Sequence, residues 1–220
     1  MSKRDALTAA LFNCQVKVLH ESTATQFLLN GHVLDTAAFA KLTGAPDGSY
    51  MLPVITPGGD LEIEVAHDAI IETMQRTVQQ GANGFQLVSN DILVIKKEFR
   101  GLGIAIRSFA IEAREAQRLG IAKIKALAAG KVGDEFSGWY LWVRAGFQAD
   151  LDAAERALLA REAAPALRTA QTLHDLMRTQ EGVNWWRSHG RGRQVEFDLA
   201  PASAHWDILN LYLAEKGVII

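Results

Sequence analysis

The stretch Asp91-Ile-Leu-Val-Ile-Lys-Lys-Glu-Phe-Arg-Gly-Leu-Gly-Ile-Ala-Ile106 limits what this chain can fold into more than any other, because it runs from a strand through a glycine turn into a long helix. Ile92, Leu93, Val94 and Ile95 form a short apolar, partly β-branched run, and from Ile104 to Leu119 the apolar residues Ile106, Phe109, Ala110 and Ala113 fall at helical spacing. Gly101 and Gly103 mark the junction. Glycine has no Cβ, so the backbone can turn sharply there and aim several N–H groups at one guest, at the positive end of the following helix. The natural guest is an anion. A dinucleotide-binding turn needs glycines at its first, third and sixth positions, and a P-loop needs Gly-Lys-Ser/Thr after four intervening residues. Neither pattern occurs here, and the bland alternative is a plain strand-to-helix turn.

The residues that are present, Arg100-x-x-Gly103-x-Ala105, resemble the acyl-CoA pyrophosphate loop of the GNAT superfamily of N-acetyltransferases. The surroundings extend the resemblance over about sixty residues. A strand precedes the loop, a helix of about four turns follows it, Gly120 is a stop signal, and Ala122 to Ala128 reads as a second apolar strand. Tyr140-Leu-Trp-Val-Arg-Ala-Gly-Phe147 then looks like the family's fourth helix, which ends in Gly-Phe. Ala128 to Gly130, Gly138 to Tyr140, Trp142, Arg144, Gly146 and Phe147 are similar to a bacterial branch of GNAT-like proteins. The resemblance implies an α/β (α+β) fold: a mixed, mostly antiparallel central sheet with helices on both faces, in a single domain over residues 1–220. Its core motif would span 85–150, with a helical insertion at about 151–190.

What the resemblance implies for chemistry is an acyl-CoA-dependent N-acyltransferase that passes acetyl from acetyl-CoA, or another acyl-CoA, to an amine by direct attack in a ternary complex. The amides of Gly101, Leu102, Gly103, Ile104, Ala105 and Ile106 would hold the pyrophosphate, with Arg100 adding charge. Ile95 and Lys97 lie where the family's splayed strand pairs with the pantetheine arm and polarises the thioester. An alkyl amine has a reference pKa of about 10.4, so only about one molecule in a few thousand is neutral at pH 7 and a base is wanted. By location Glu62, Glu64 and His67 are the candidate bases, Glu64 taken as catalytic and Glu62 and His67 also as candidates for acceptor contact. On the leaving side many members carry a tyrosine four residues before the Gly of Gly-Phe. Here that position is Trp142, assigned to the substrate pocket, while Tyr140, the alternative acid, lies about 200° around the helix from it. A catalytically weak or inactive acyl-CoA-binding module acting through a protein partner is the alternative function. An α/β interaction protein whose turn binds nothing is the third.

Composition narrows the partners. The chain has 220 residues, 49% of them hydrophobic, which suits one domain with a real core. The formal net charge is −2 and basic residues are interspersed with acidic ones, so no DNA footprint is expected and aminoacyl-tRNA finds no support in charge. The expected acceptor is a small-molecule or a peptide or protein amine. A single cysteine, Cys14, forbids an internal disulfide and is read as a small buried hydrophobe in a reducing compartment. Six histidines, at 20, 32, 67, 174, 189 and 205, show no metal-ligand spacing, so no metal is expected. The N-terminus lacks the apolar core of a signal peptide and no run of eighteen apolar residues occurs, so the chain is read as cytoplasmic, with no membrane partner and a homodimer left open.

Elsewhere, Cys14 to Leu19 alternates like a strand, and Asp35 to Leu42 is read as a helix with Asp35 as N-cap and Gly44 as stop. Tyr50 to Ile55 and Leu61 to Val65 are read as strands, the second burying Leu61, Ile63 and Val65 and presenting Glu62 and Glu64. Residues 68–80 fit a helix through Ile70 or Ile71, Met74 and Val78, or a continuing meander. Asp152 to Arg178 is read as two helices broken by Pro165, Arg193 to Leu199 as a late strand, and Ser203 to Lys216 as a capped helix. The five tryptophans, at 139, 142, 185, 186 and 206, are read chiefly as core. Arg187, His189, Arg191 and Arg193 are read chiefly as a solvated basic loop.

Overall fold

The computed structural model describes residues 4–19 and 27–220; His20 lies outside them. The fold is mixed α/β with mostly antiparallel pairing, and the chain divides into two compact units, one running to Ile124 and taking in Leu213–Ile220, the other Lys125–Tyr212.

The first unit begins with helix α1 (Ala6–Leu11), capped by the Asp5 carboxylate, which accepts the amides of Leu7 and Thr8 at 3.0 and 3.1 Å. Strand β1 (Lys17–Val18) is far shorter than the alternation from Cys14 suggests, because Cys14 sits at φ 62°, outside the extended region. A small hairpin of β2 (Leu28–Leu29) and β3 (His32–Val33) follows, then α2 (Thr36–Thr43) between the Asp35 cap and Gly44 in the left-handed region. Strands β4 (Tyr50–Ile55), β5 (Leu61–His67), β6 (Ile71–Gly81) and β7 (Gly84–Ile95) form an antiparallel meander, with β1 parallel to β4 at its edge. Helix α3 (Ile104–Arg118) packs across it.

Residues 68–80, open between helix and strand in the sequence, are mainly β6. Their helix-like spacing has a local cause: the register shifts between Ile71 and Thr73, so an irregularity puts both Ile71 and Met74 on the buried face before strict alternation resumes at Met74, Arg76 and Val78. The alternation is hidden a second time because Arg76, on that buried face, is charged. It meets Glu112 of α3 at 3.4 Å with both side chains fully buried, and Asn90 of β7 donates to the same carboxylate at 3.2 Å. The apolar face of α3, Ile106, Phe109, Ala110, Ala113 and Ala116, is buried as the spacing predicts. Burying Phe109 alone is worth about 1.5 to 3 kcal/mol.

In the second unit strand β8 (Lys123–Lys131) lies beside β9 (Arg191–Asp198), and between them run α4 (Gly138–Arg144), α5 (Ala153–Glu162), α6 (Leu173–Met177) and α7 (Gln180–His189). Helix α8 (Ala204–Glu215) follows β9. The two helices expected over Asp152 to Arg178 are α5 and α6, and α7 follows them within 151–190, replacing part of the expected basic loop. Pro165 opens a single 3-10 turn between α5 and α6. Trp139, Trp142, Trp185 and Trp186 are buried, and Trp206 packs edge-on to Phe197 at 5.1 Å. The Gly-Phe signature is a helix stop: the Phe147 amide reaches back to the Trp142 carbonyl at 3.0 Å and the Gly146 amide to Val143 at 3.1 Å, with Gly146 at φ 94°.

Candidate functional site

The loop from Ile95 to Ile106 is built by three local devices. Strand β7 ends at Ile95, a single 3-10 turn (Lys97–Phe99) redirects the chain, and Gly101 and Gly103 at φ 82° and 74° swing it into α3. Gly103 is the N-cap, and no side chain caps the helix there. The first turn of a helix leaves its amides without intrahelical acceptors, and among the described residues no side-chain oxygen takes them, so the N–H groups around Gly103 to Ile106 are left for a guest or for water. Arg100, Gly101 and Leu102 are exposed, Gly103 and Ala105 half-buried, and Ile104 and Ile106 buried, so the amide array starts at the surface and runs inward. No acidic residue sits in the first turn of α3 to compete for the positive end of the helix.

A residue that sequence reasoning missed holds the loop in shape. Arg107, buried on α3, donates from one guanidinium nitrogen to the carbonyls of Leu102 and Gly103 at 3.1 and 3.0 Å, from Nε to Thr8 Oγ1 at 3.0 Å, and from its third nitrogen to Asp5 Oδ1 at 2.9 Å. Taking up the loop carbonyls from the helix side leaves the amide hydrogens as the groups the loop presents. Burial works to raise the Asp5 carboxyl, but hydrogen bonds from Thr8, Ile219 and Arg107 together outweigh it and hold it well below the usual carboxylate range. The signal in the sequence was an arginine beside Ile106, four residues after Gly103, within the apolar half of an amphipathic helix.

The other predicted residues fall as follows. Arg100 donates from Nε to the Ile95 carbonyl at 2.8 Å, and its own amide donates to the Lys97 carbonyl at 3.3 Å. Both carbonyls are thus engaged within the loop, and a guest at Ile95 or Lys97 would pair with amide hydrogens. Glu62 and Glu64 lie on the outward face of β5, Glu64 exposed. In register Glu64 pairs with Gln75 and Gln75 with Ile92, so Glu64 stands two strands from β7, about 10 Å away. His67 is tied into a turn: Nδ1 accepts the amides of Ala69 and Ile70, both at 3.1 Å, and Nε2 lies 3.0 Å from the Asp47 carbonyl. These bonds select the tautomer protonated on Nε2 and use both nitrogens, so the ring holds backbone rather than presenting a free nitrogen.

Trp142 and Tyr140 belong to the second unit. Trp142 packs edge-on to Phe147 at 5.2 Å, and Tyr140 lies half-buried, its ring near Trp139 and under the Arg187 guanidinium at 5.7 Å. The cluster read as a solvated loop is instead the end of α7 and the start of β9, with every member engaged. His189 stacks on Trp185 at 4.6 Å, Arg191 pairs with Asp152, and Arg193 pairs with Glu155 and lies over Trp186. Asp152 and Glu155 are the capping box of α5, so the arginines bind the acids that start that helix.

Cys14 also departs from expectation. It is half-buried at the wall of a cavity rather than in the core, and burial pushes its thiol up. Among the described residues no cluster of histidine, cysteine, aspartate and glutamate suited to a metal ion occurs, and no helix is long and apolar enough to cross a membrane. No family model matches the chain, and neither a curated protein nor a solved structure matches it.

Proposed function

We propose that the chain is an acyl-CoA-dependent N-acyltransferase whose pyrophosphate cradle is the loop Arg100–Ile106. The observation that carries this is the left-handed Gly103 at the start of a fifteen-residue helix without a side-chain cap, its carbonyl tied back by Arg107. In the reaction an amine nitrogen attacks the thioester carbonyl carbon, a C–N bond forms, the C–S bond breaks, and the thiolate leaves as the amine proton passes to a base or to water. The chain's part at the loop is to hold the phosphates by backbone amides, each helix-terminus interaction being worth about 0.3 to 1 kcal/mol and more where partly buried. Holding the reactants side by side supplies much of the rest. Glu64 is the proton acceptor in this reading, reached through water rather than by direct contact.

The burial of Trp142, where many family members have tyrosine, favours a second reading: an acyl-CoA-binding module with weak chemistry. Indole does not serve as a general acid, an effect typically worth about 10²- to 10⁴-fold. Titration calorimetry with CoA and with pantetheine, which lacks the pyrophosphate, tests the cradle: CoA binds and pantetheine does not. Equal binding of the two, or none by CoA, overturns it. Thiol release from acetyl-CoA over an amine panel then separates enzyme from module.

A further inference from the structure

The first unit contains a cavity of about 520 Å³ that shares no lining residue with the glycine loop. Its floor is apolar: Phe12, Ala40 and Ala45 are all buried. One wall is a single face of α3, since Ile111, Arg114, Glu115 and Arg118 stand at i, i+3, i+4 and i+7. Arg4, Asn13, Cys14, Lys41 and Ile220 complete the rim.

Charge at the rim is mostly cationic. Four cationic side chains, of Arg4, Lys41, Arg114 and Arg118, line the cavity with the Glu115 carboxylate and with Ile220, whose oxygen accepts from Arg114 at 3.2 Å. That carboxylate is already answered, because Arg118 grips it with two nitrogens at 3.0 and 2.6 Å. Arg4 spends its hydrogen bonds on the Phe12 carbonyl and the Asn13 amide oxygen, which leave its charge uncompensated. Lys41 is exposed, and no hydrogen bond or ion pair of its ammonium is found among the described residues. The volume lies within the range of small-molecule sites, about 300 to 1,000 Å³, and such sites pair an apolar body with a few fixed polar groups. An apolar hollow under uncompensated cations selects a guest with an apolar body and a single negative head.

We propose that this cavity binds a small amphiphilic carboxylate, its chain on Phe12, Ala45 and Ile111 and its head between Lys41 and Arg4. The proposal stands apart from the loop, whose first-turn amides, Ile104 to Ile106, lie about 8 to 11 Å along α3 from Ile111. Cys14, the only cysteine in the chain, lines the cavity and reports on its occupancy. The full-length folded protein is alkylated with iodoacetamide at alkaline pH, followed by intact mass, with octanoate, octanol or octylamine added. Octanoate slows alkylation at least about fivefold, octanol less and octylamine not at all. In Lys41→Glu the protection by octanoate, taken as the ratio of rates with and without it, falls by about tenfold in apparent affinity, one charge-assisted contact. Should Lys41→Glu fail to fold, Lys41→Gln carries the same reading. Equal protection by all three additives, none by octanoate up to about 10 mM, or full protection in the lysine variant overturns the proposal.

Discussion

At the scale of single residues, backbone conformation decides more than side-chain identity does. Gly101 and Gly103 both have positive φ, but a Cβ on Gly101 would meet open space, while one on Gly103 would lie 2.6 Å from an Arg107 guanidinium nitrogen. Gly101→Ala therefore costs only the conformational strain of a left-handed alanine, about 1 to 2 kcal/mol. Gly103→Ala adds displacement of Arg107, so in denaturant unfolding it is the more destabilising of the two, and CoA affinity by calorimetry falls further in it than in Gly101→Ala. The sequence displayed both glycines and the turn they make, but not their inequality, because that depends on where a side chain four residues on places its nitrogens. His67 makes the same point: its position at a strand end was legible, its two hydrogen-bonded nitrogens were not.

At the scale of elements, helices announced themselves by caps and strands by alternation, and the failures have identifiable causes. Asp35 with Gly44, and Thr172 and Asp152 with their capping boxes, bound helices close to where local chemistry places them. Strand β6 was hidden by a register shift and by buried Arg76. That arginine and Glu112 make an element-scale prediction, since both lie fully inside the β6, β7 and α3 packing. Burial pushes the Arg76 guanidinium down and the Glu112 carboxyl up, each partner's charge opposing the shift. Removing one partner, as in Arg76→Met or Glu112→Leu, leaves a buried charge and costs about 3 to 5 kcal/mol, whereas the double replacement is near neutral or stabilising. A double-mutant cycle in denaturant unfolding measures this, and additive losses would contradict it.

At the scale of the whole molecule, stability toward acid is set by groups far apart in sequence. His174 Nε2 and His205 Nδ1 both donate to the Gly146 carbonyl, at 2.8 and 2.9 Å, with ring centroids 4.5 Å apart. Burial, then the His174 charge, lowers His205 to about 4, and burial lowers His174. A depressed histidine binds fewer protons folded than unfolded, so stability is full above the unfolded value of about 6.5 and falls as pH drops toward 4. Glu112, pushed up, acts in the opposite sense over part of that window, so variants separate the two: His205→Gln flattens the decline in Tm between pH 6.5 and 4, and Glu112→Gln steepens it. From the sequence alone came the strand, glycine turn and helix of the loop, most helix ends, the inward face of β5 and the mixed α/β class, because each is written in contacts between near neighbours. Only the tertiary structure decided that Arg107 clamps the loop to Asp5 and Thr8, that the basic cluster is spent on a capping box, that Cys14 lines a cavity and that two histidines share one carbonyl. Those contacts join residues 28 to 102 positions apart, and periodicity along the chain carries no record of which distant side chains meet.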